Sequence, residues 1–285
     1  MVRLRVSSRH LILASPVFRR MLEGPWMESQ ACHGPLREIS VGEWDLEAFI
    51  IVLDIIHGHH RLVPRSLSLE MLAKVAVIVN YYDCVEVVEV FSDNWLKELE
   101  KDPPKSYGRE SILALLASWV FSAVDIFEQM TELAVRNSNC LIQAADLPIP
   151  GEILDSIDQS RQISVGRIFS ALYTLLDSLT REEVGCFFEC SSMILGSLTI
   201  QLNKHEILSP RATAPFSGYN VTAVQAIVYD IRRTTWYTGN SRSSYHSSYD
   251  LSVHSCNLLT HMEPTIAMVE GELKGLKLED YQHSK

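Results

Sequence analysis

Apolar side chains recur every third or fourth residue along most of this 285-residue chain, and that spacing limits what it can fold into. A spacing near 3.6 residues places successive apolar side chains on one face of an α-helix. The clearest stripes lie at 46–56, 69–79, 85–99, 112–130, 165–179 and 184–202, with a last helix expected over 256–274. The pattern therefore predicts a mostly helical protein.

Signals for β-structure are restricted to two short segments near the start of the chain. Residues 4–6 and 36–41 alternate imperfectly between apolar and polar side chains, which is the pattern of a half-buried strand. The predicted fold class is therefore mainly α with a small β-sheet near the N-terminus, followed by an all-α region.

A run of helix-breaking residues divides the predicted helices. The stretch KDPPKSYG at 101–108 contains two prolines, one glycine and three charged residues, so a helix cannot continue through it. We interpret this stretch as a linker. The predicted organisation is an N-terminal domain over 1–100, the linker over 101–108 and an α-helical region over 109–285.

The acidic charge balance of the chain restricts its partners. The formal net charge is −10 at pH 7, and nucleic acids and anionic membranes repel an acidic surface, so we expect no direct nucleic-acid binding. The opening MVRLRVSSRH lacks the apolar core of a secretory signal, and the apolar runs are too short to span a bilayer. We therefore expect no membrane association, reduced cysteines, and a location in the cytoplasm, the nucleus or both.

Short motifs in the first hundred residues follow an order that resembles a BTB/POZ domain. The segment VSSRHLILASPVFRRMLEG at 6–24 is similar to the first helical hairpin of that family. Ser15 is a good N-cap for the second helix, and Pro16 suits its first position. The helix end IIHG at 55–58 and the tyrosine pair at 81–82 match later parts of the pattern. The CFFEC, HSC and GLKLEDY motifs resemble a fungal-type BTB family with a helical C-terminal region.

The resemblance implies an α+β BTB/POZ-like domain that is incomplete at its N-terminus. In the family a strand usually precedes the hairpin, whereas here only residues 2–6 stand in that place. We therefore expect the first strand to be missing. In many relatives this strand is exchanged between subunits, so its loss would remove one mode of dimerisation.

The resemblance also implies two protein-binding surfaces. Trp26 and Glu28 match an apolar-x-Glu motif with which BTB adaptors contact a cullin, the apolar group filling a pocket and the acid accepting a hydrogen bond. Leu11, Ala14 and Phe18 match the helical face that builds a homodimer interface in the family. In the alternative interpretation, Trp26 closes the local core, Glu28 is solvated, and the hairpin residues face the core of their own domain.

Cysteine and histidine side chains in the C-terminal region form a candidate zinc site. A capping box at 180–183 predicts a helix start, and Cys186 and Cys190 would share one face of that helix. His254 and Cys256 would supply two further ligands of a tetrahedral set. Apart from this candidate structural zinc, we expect no cofactor.

Alternatives to that zinc site remain open. Buried cysteines are common core residues in the absence of any metal, and Glu189 or His261 would be able to replace one ligand. HGHH at 57–60 is a second His-rich cluster. Its place at a predicted helix end favours a role in stabilising the negative helix terminus instead.

The chain contains none of the common catalytic motifs. GxxxxGK[ST], GxSxG, HExxH and GxGxxG are all absent, so we predict no catalytic residues. The predicted function is that of a non-catalytic protein–protein interaction protein, with a cullin-based ubiquitin ligase as the candidate partner. One alternative is a homo-oligomerising scaffold or transcription-associated module without a ligase role. The other is a zinc-stabilised or thiol-dependent enzyme.

Overall fold

The fold is helical throughout the part of the chain that the structure describes. A computed structural model describes residues 2–24, 38–144, 147–231 and 256–282. The chain forms two compact units. The first comprises Met1–Ala134, Gln143–Leu154 and Gly275–Lys285, and the second comprises Val135–Ile142 and Asp155–Lys274.

The predicted small β-sheet near the N-terminus is wrong for the described residues. Neither 2–7 nor 38–41 forms a strand, and residues 36 and 37 lie outside the described ranges. A strand requires a neighbour that takes up its backbone hydrogen bonds, and a few alternating residues do not specify one. The α+β character expected from the resemblance is therefore replaced by an all-helical arrangement in the described ranges.

The predicted helical stripes of the first unit match helices closely. Those at 46–56, 69–79 and 85–99 fall within single helices, whereas 112–130 is divided near Ser122, whose φ of 61° leaves helical geometry. The helices are α1 (Ser8–Ala14), α2 (Pro16–Glu23), α3 (Leu46–Ile56), α4 (Leu69–Tyr82), α5 (Val85–Lys101), α6 (Arg109–Val120) and α7 (Val124–Asn137), the last of which ends in the second unit.

Two local sequence predictions are confirmed in this unit. The Ser15 Oγ accepts a hydrogen bond from the Phe18 N–H at 3.0 Å, and Pro16 is the first residue of α2. The stretch 101–108 does interrupt the helices, because α5 ends at Lys101 and α6 begins at Arg109. Both helices belong to the first unit, and the division into domains at this stretch stays a prediction.

Helix α4 lies at the centre of the first unit. It packs against α2, α3, α5 and α6, and Val75, Ala76 and Val79 on it are fully buried. Small and β-branched side chains at such contacts allow neighbouring helices to approach closely. Tyr82 at the end of α4 is buried, and the N-terminal hairpin packs against it through Phe18.

The last segment of the chain also belongs to the first unit. Gly275 lies so close to the backbone carbonyl of Glu128 on α7 that no Cβ would fit. The next residue, Leu276, donates its N–H to the Thr131 Oγ1 at 2.8 Å. A short 3₁₀ helix, Leu278–Tyr281, follows.

The second unit is built around the long helix α8. A buried arginine, Arg161, joins this helix to the loop that ends just before the helix starting at Val221. Its Nε and Nη2 donate to Asp158, and the remaining N–H groups donate to the carbonyls of Pro215, Phe216 and Tyr219. All five donors of the guanidinium are thereby used. The helices are α8 (Gly151–Thr180), which begins in the first unit, α9 (Phe188–Lys204), α10 (Val221–Asp230) and α11 (Leu258–Glu272).

Candidate functional site

The N-terminal hairpin is held firmly to the end of α4. The Ser15 Oγ donates to the Tyr82 carbonyl, and the ring of Phe18 stacks on the ring of Tyr82. Leu11 and Phe18 are each 4 % exposed, and Ala14 is half-buried. Two of the three residues predicted for a dimer interface therefore pack inside their own unit. Their part in a dimer stays a prediction.

Four exposed apolar side chains lie within the first thirteen residues, three before the hairpin along the chain and one on α1. Val2, Leu4 and Val6 are exposed, and Leu13 on α1 is 79 % exposed. We call these four residues the N-terminal apolar surface. The segment that carries the first three is anchored where the Ser7 N–H donates to the His57 Nε2 at 2.9 Å.

The predicted cullin contact cannot be located on this hairpin. Trp26 and Glu28 lie outside the described residues, which end at 24 and resume at 38. The motif stays a prediction from the resemblance.

The histidines at 57–60 do not converge on a metal position. Because the His57 Nε2 accepts the Ser7 N–H, the ring proton is on Nδ1, which donates to the Leu53 carbonyl at 2.7 Å. Both ring nitrogens are thus used in local hydrogen bonds. The His59 ring contacts Asp54, and the His60 ring meets the edge of Phe91. These contacts favour the interpretation in which the cluster stabilises a helix end.

Three cysteines of the second unit do come together. The Sγ atoms of Cys186, Cys190 and Cys256 all lie within 4.8 Å of one another. Within the described ranges this is the one group of three or more side chains arranged to hold a metal ion. Cys190 is buried, Cys256 is half-buried and Cys186 is exposed, and His254 lies outside the described residues. We call these three cysteines the thiol cluster.

The predicted reason for this proximity was wrong. Helix α9 begins at Phe188, so Cys186 precedes the helix and does not share a helical face with Cys190. The expected capping box does not form either. The Thr180 hydroxyl donates to the Leu176 carbonyl at the end of α8, and Arg181 forms an ion pair with Glu183.

A tight turn at Gly185 brings Cys186 to the start of α9. Gly185 has a φ of 113°, a region that favours glycine, and a Cβ there would collide with the side chain of Ser191. Ser191 in turn donates its N–H to the Phe187 carbonyl at 3.1 Å, which closes the first helical turn. Sequence reasoning missed Gly185, and its position directly before a cysteine was the available signal.

Proximity of the three cysteines affects the ionisation of Cys186. Loss of hydration and hydrogen bonds from Cys256 and Cys190 raise the pKa of the Cys186 thiol to about 11. The nucleophile in cysteine chemistry is the thiolate, which is scarce at neutral pH when the pKa is raised.

Comparisons of the chain with family models, with curated proteins and with solved structures found no match. Among the helices of the described ranges, none has both the length and the apolar character needed to cross a membrane.

Proposed function

We propose that this protein is a non-catalytic protein–protein interaction protein that binds partners through its N-terminal, BTB/POZ-like region. The observation that carries the proposal is the N-terminal apolar surface, four exposed aliphatic side chains within the first thirteen residues. Apolar side chains that concentrate on an exposed surface are typical of protein-binding sites.

The support beneath Leu13 favours recognition by a preformed site. Leu13 lies on α1, between the buried Leu11 and the capping residue Ser15, and the hairpin is joined to α4 through Tyr82. A side chain on such a support loses little conformational freedom when a partner binds.

The ligase-adaptor form of this function rests on the resemblance and on Trp26 and Glu28. An adaptor that binds a cullin and a client raises the effective concentration of client lysines near the ligase. Such a protein would work in the cytoplasm or the nucleus.

Affinity purification from cells, followed by mass spectrometry, tests the adaptor form. We expect the tagged full chain to retain a cullin and the double variant Trp26→Ala/Glu28→Ala to lose it. Tyr229→Ala/Asp230→Ala is the matched control, since it removes an exposed aromatic residue and an exposed acid from the second unit. The adaptor form is wrong if the unmodified chain retains no cullin or the two variants retain it equally.

A second candidate function is homo-oligomeric assembly. Residues 2–6 have no strand partner in the described part of the chain, and their apolar side chains are exposed at alternate positions. A second copy offers the same surface, and self-complementary contacts of this kind produce two-fold dimers.

Light scattering tests the assembly candidate. We expect a mass of two 32.2-kDa chains for the full chain, and one chain for Leu13→Asp. Leu62→Asp places the same charge at an exposed leucine outside the surface and should remain dimeric. A monomeric mass for the unmodified chain at micromolar concentration would rule this candidate out.

A further inference from the structure

We propose that the thiol cluster binds one zinc ion, and that this ion fastens the start of α11 to the start of α9. Cys190 is the third residue of α9, Cys186 precedes that helix, and Cys256 stands two residues before α11. All three belong to the second unit. The site would thus link two helices that are well separated along the chain.

The sulfur positions suit tetrahedral zinc. Zinc–thiolate bonds are about 2.3 Å long, which places two sulfurs of a tetrahedral site about 3.8 Å apart. The Sγ atoms of the cluster are within 4.8 Å of one another. The observed sulfur separations therefore exceed that spacing by at most about 1 Å.

The charge balance of binding is simple. Each of the three thiols gives up its proton, so that Zn²⁺ with three thiolates carries one negative charge and three protons enter solution. Each sulfur lies within one turn of a helix N-terminus, where the macrodipole favours negative charge. Proton release also means that zinc affinity should increase with pH.

Three soft ligands in this arrangement favour zinc over ordinary core packing. Core cysteines are usually buried, whereas Cys186 is exposed. Its Sγ nevertheless lies within 4.8 Å of the Sγ atoms of Cys190 and Cys256. Thiolates bind borderline-soft ions such as Zn²⁺ and discriminate against Mg²⁺ and Ca²⁺.

The fourth coordination position is open to water or to another donor. Glu189 and His261, the alternatives considered from the sequence, are exposed and do not join the group. His254 stays the sequence-based prediction for this position. Three thiolates are enough to define the site that the experiment tests.

A metal at this position would stabilise the fold of the second unit. Cys190 and Cys256 are far apart in the sequence, so a cross-link between them reduces the conformational entropy of the unfolded chain. Zinc that binds only the folded form adds its binding free energy to stability.

The test is zinc stoichiometry together with thermal unfolding of the purified full chain. After treatment with a chelator, we expect the chain to bind one Zn²⁺ and to unfold at a higher temperature when zinc is added. Cys186→Ser and Cys256→Ser should each weaken zinc binding roughly tenfold or more. Cys140→Ser, an exposed cysteine of the same unit, should bind zinc like the unmodified chain.

Loss of zinc binding in Cys186→Ser must be distinguished from loss of the fold. Cys186 is exposed, so its substitution is expected to leave the fold intact, which circular dichroism of the zinc-free variant checks. Co²⁺ in place of zinc should give thiolate-to-metal charge-transfer absorption that is reduced in Cys186→Ser. Equal zinc binding by Cys186→Ser and Cys140→Ser would overturn the proposal. So would a disulfide between any two of the three cysteines in freshly reduced and refolded protein.

Discussion

The ring of Phe18 stacks on the ring of Tyr82, with their centroids 4.1 Å apart and their planes 10° from parallel. This contact joins α2 to the end of α4. The hairpin therefore carries one residue that packs in the core and another that is exposed. Phe18 faces the core of its own unit, whereas Leu13, one helix earlier, faces solvent.

Substitution of these two residues should therefore have different effects on stability. We expect Phe18→Ala to lower the free energy of unfolding by about 3–5 kcal/mol, because it removes a buried aromatic ring. Leu13→Ala should change it by less than about 0.5 kcal/mol. Urea denaturation measures both. Similar small losses for both variants would show that the hairpin is not packed on α4.

The buried Arg161 provides a second comparison, in the other unit. Arg161→Met removes five hydrogen-bond donors and leaves Asp158 and three carbonyls without them, so we expect a loss of about 3–5 kcal/mol. Arg167→Met breaks only a solvent-exposed ion pair with Glu272, with an expected loss of about 1 kcal/mol or less. Chemical denaturation of the two variants checks this, and equal losses would contradict it.

These elements differ in how far the sequence predicted them. The bounds of α3, α4 and α5 follow from apolar spacing, which is a local property. The N-cap at Ser15 is local too. Arg161 was missed because its carbonyl partners come from residues more than fifty positions away.

The predicted sheet and the thiol cluster also show that local sequence patterns do not predict contacts between residues that are distant in the chain. Residues 4–6 alternate as a strand would, but pairing depends on a distant neighbour that the pattern does not contain. Three of the four residues predicted as zinc ligands, Cys186, Cys190 and Cys256, lie close together, although Cys186 and Cys190 do not share a helical face. A glycine with positive φ places Cys186, and hydrophobic periodicity carries no information about such a turn.

Two glycines near the thiol cluster should respond oppositely to alanine. Gly185→Ala introduces a Cβ at positive φ and against Ser191, so we expect a loss of about 1–3 kcal/mol. Gly196→Ala, in the middle of α9 with open space around it, should stabilise by about 0.5–1 kcal/mol. Thermal unfolding of the zinc-free variants measures both, and a neutral Gly185→Ala would contradict the turn.

Asp45 should make stability depend on pH in the acid range. It caps α3, and its hydrogen bond to Lys74 is the main cause that lowers the pKa of Asp45 below 3.8. A carboxyl group whose pKa is lowered by folding stabilises the folded state at pH values above its pKa in the unfolded chain. This contribution is lost as the pH falls through its pKa in the folded chain.

The variant Asp45→Asn isolates that contribution, because asparagine is an equally good N-cap. We expect the unmodified chain to be more stable than Asp45→Asn above pH 3.8, with the difference vanishing at lower pH. Urea denaturation at several pH values measures it. A difference that is the same at pH 2 and pH 6 would show that the ion pair is not its source.

Protein binding by the N-terminal apolar surface is tested most directly by one comparison in cells. The tagged full chain, Leu13→Asp and Leu62→Asp are purified in parallel, and the retained proteins are quantified by mass spectrometry. We predict that the proteins bound by the unmodified chain, including its own untagged copies, are lost from Leu13→Asp and kept by Leu62→Asp. Equal retention by both variants, or no specific protein on the unmodified chain, would contradict the claim.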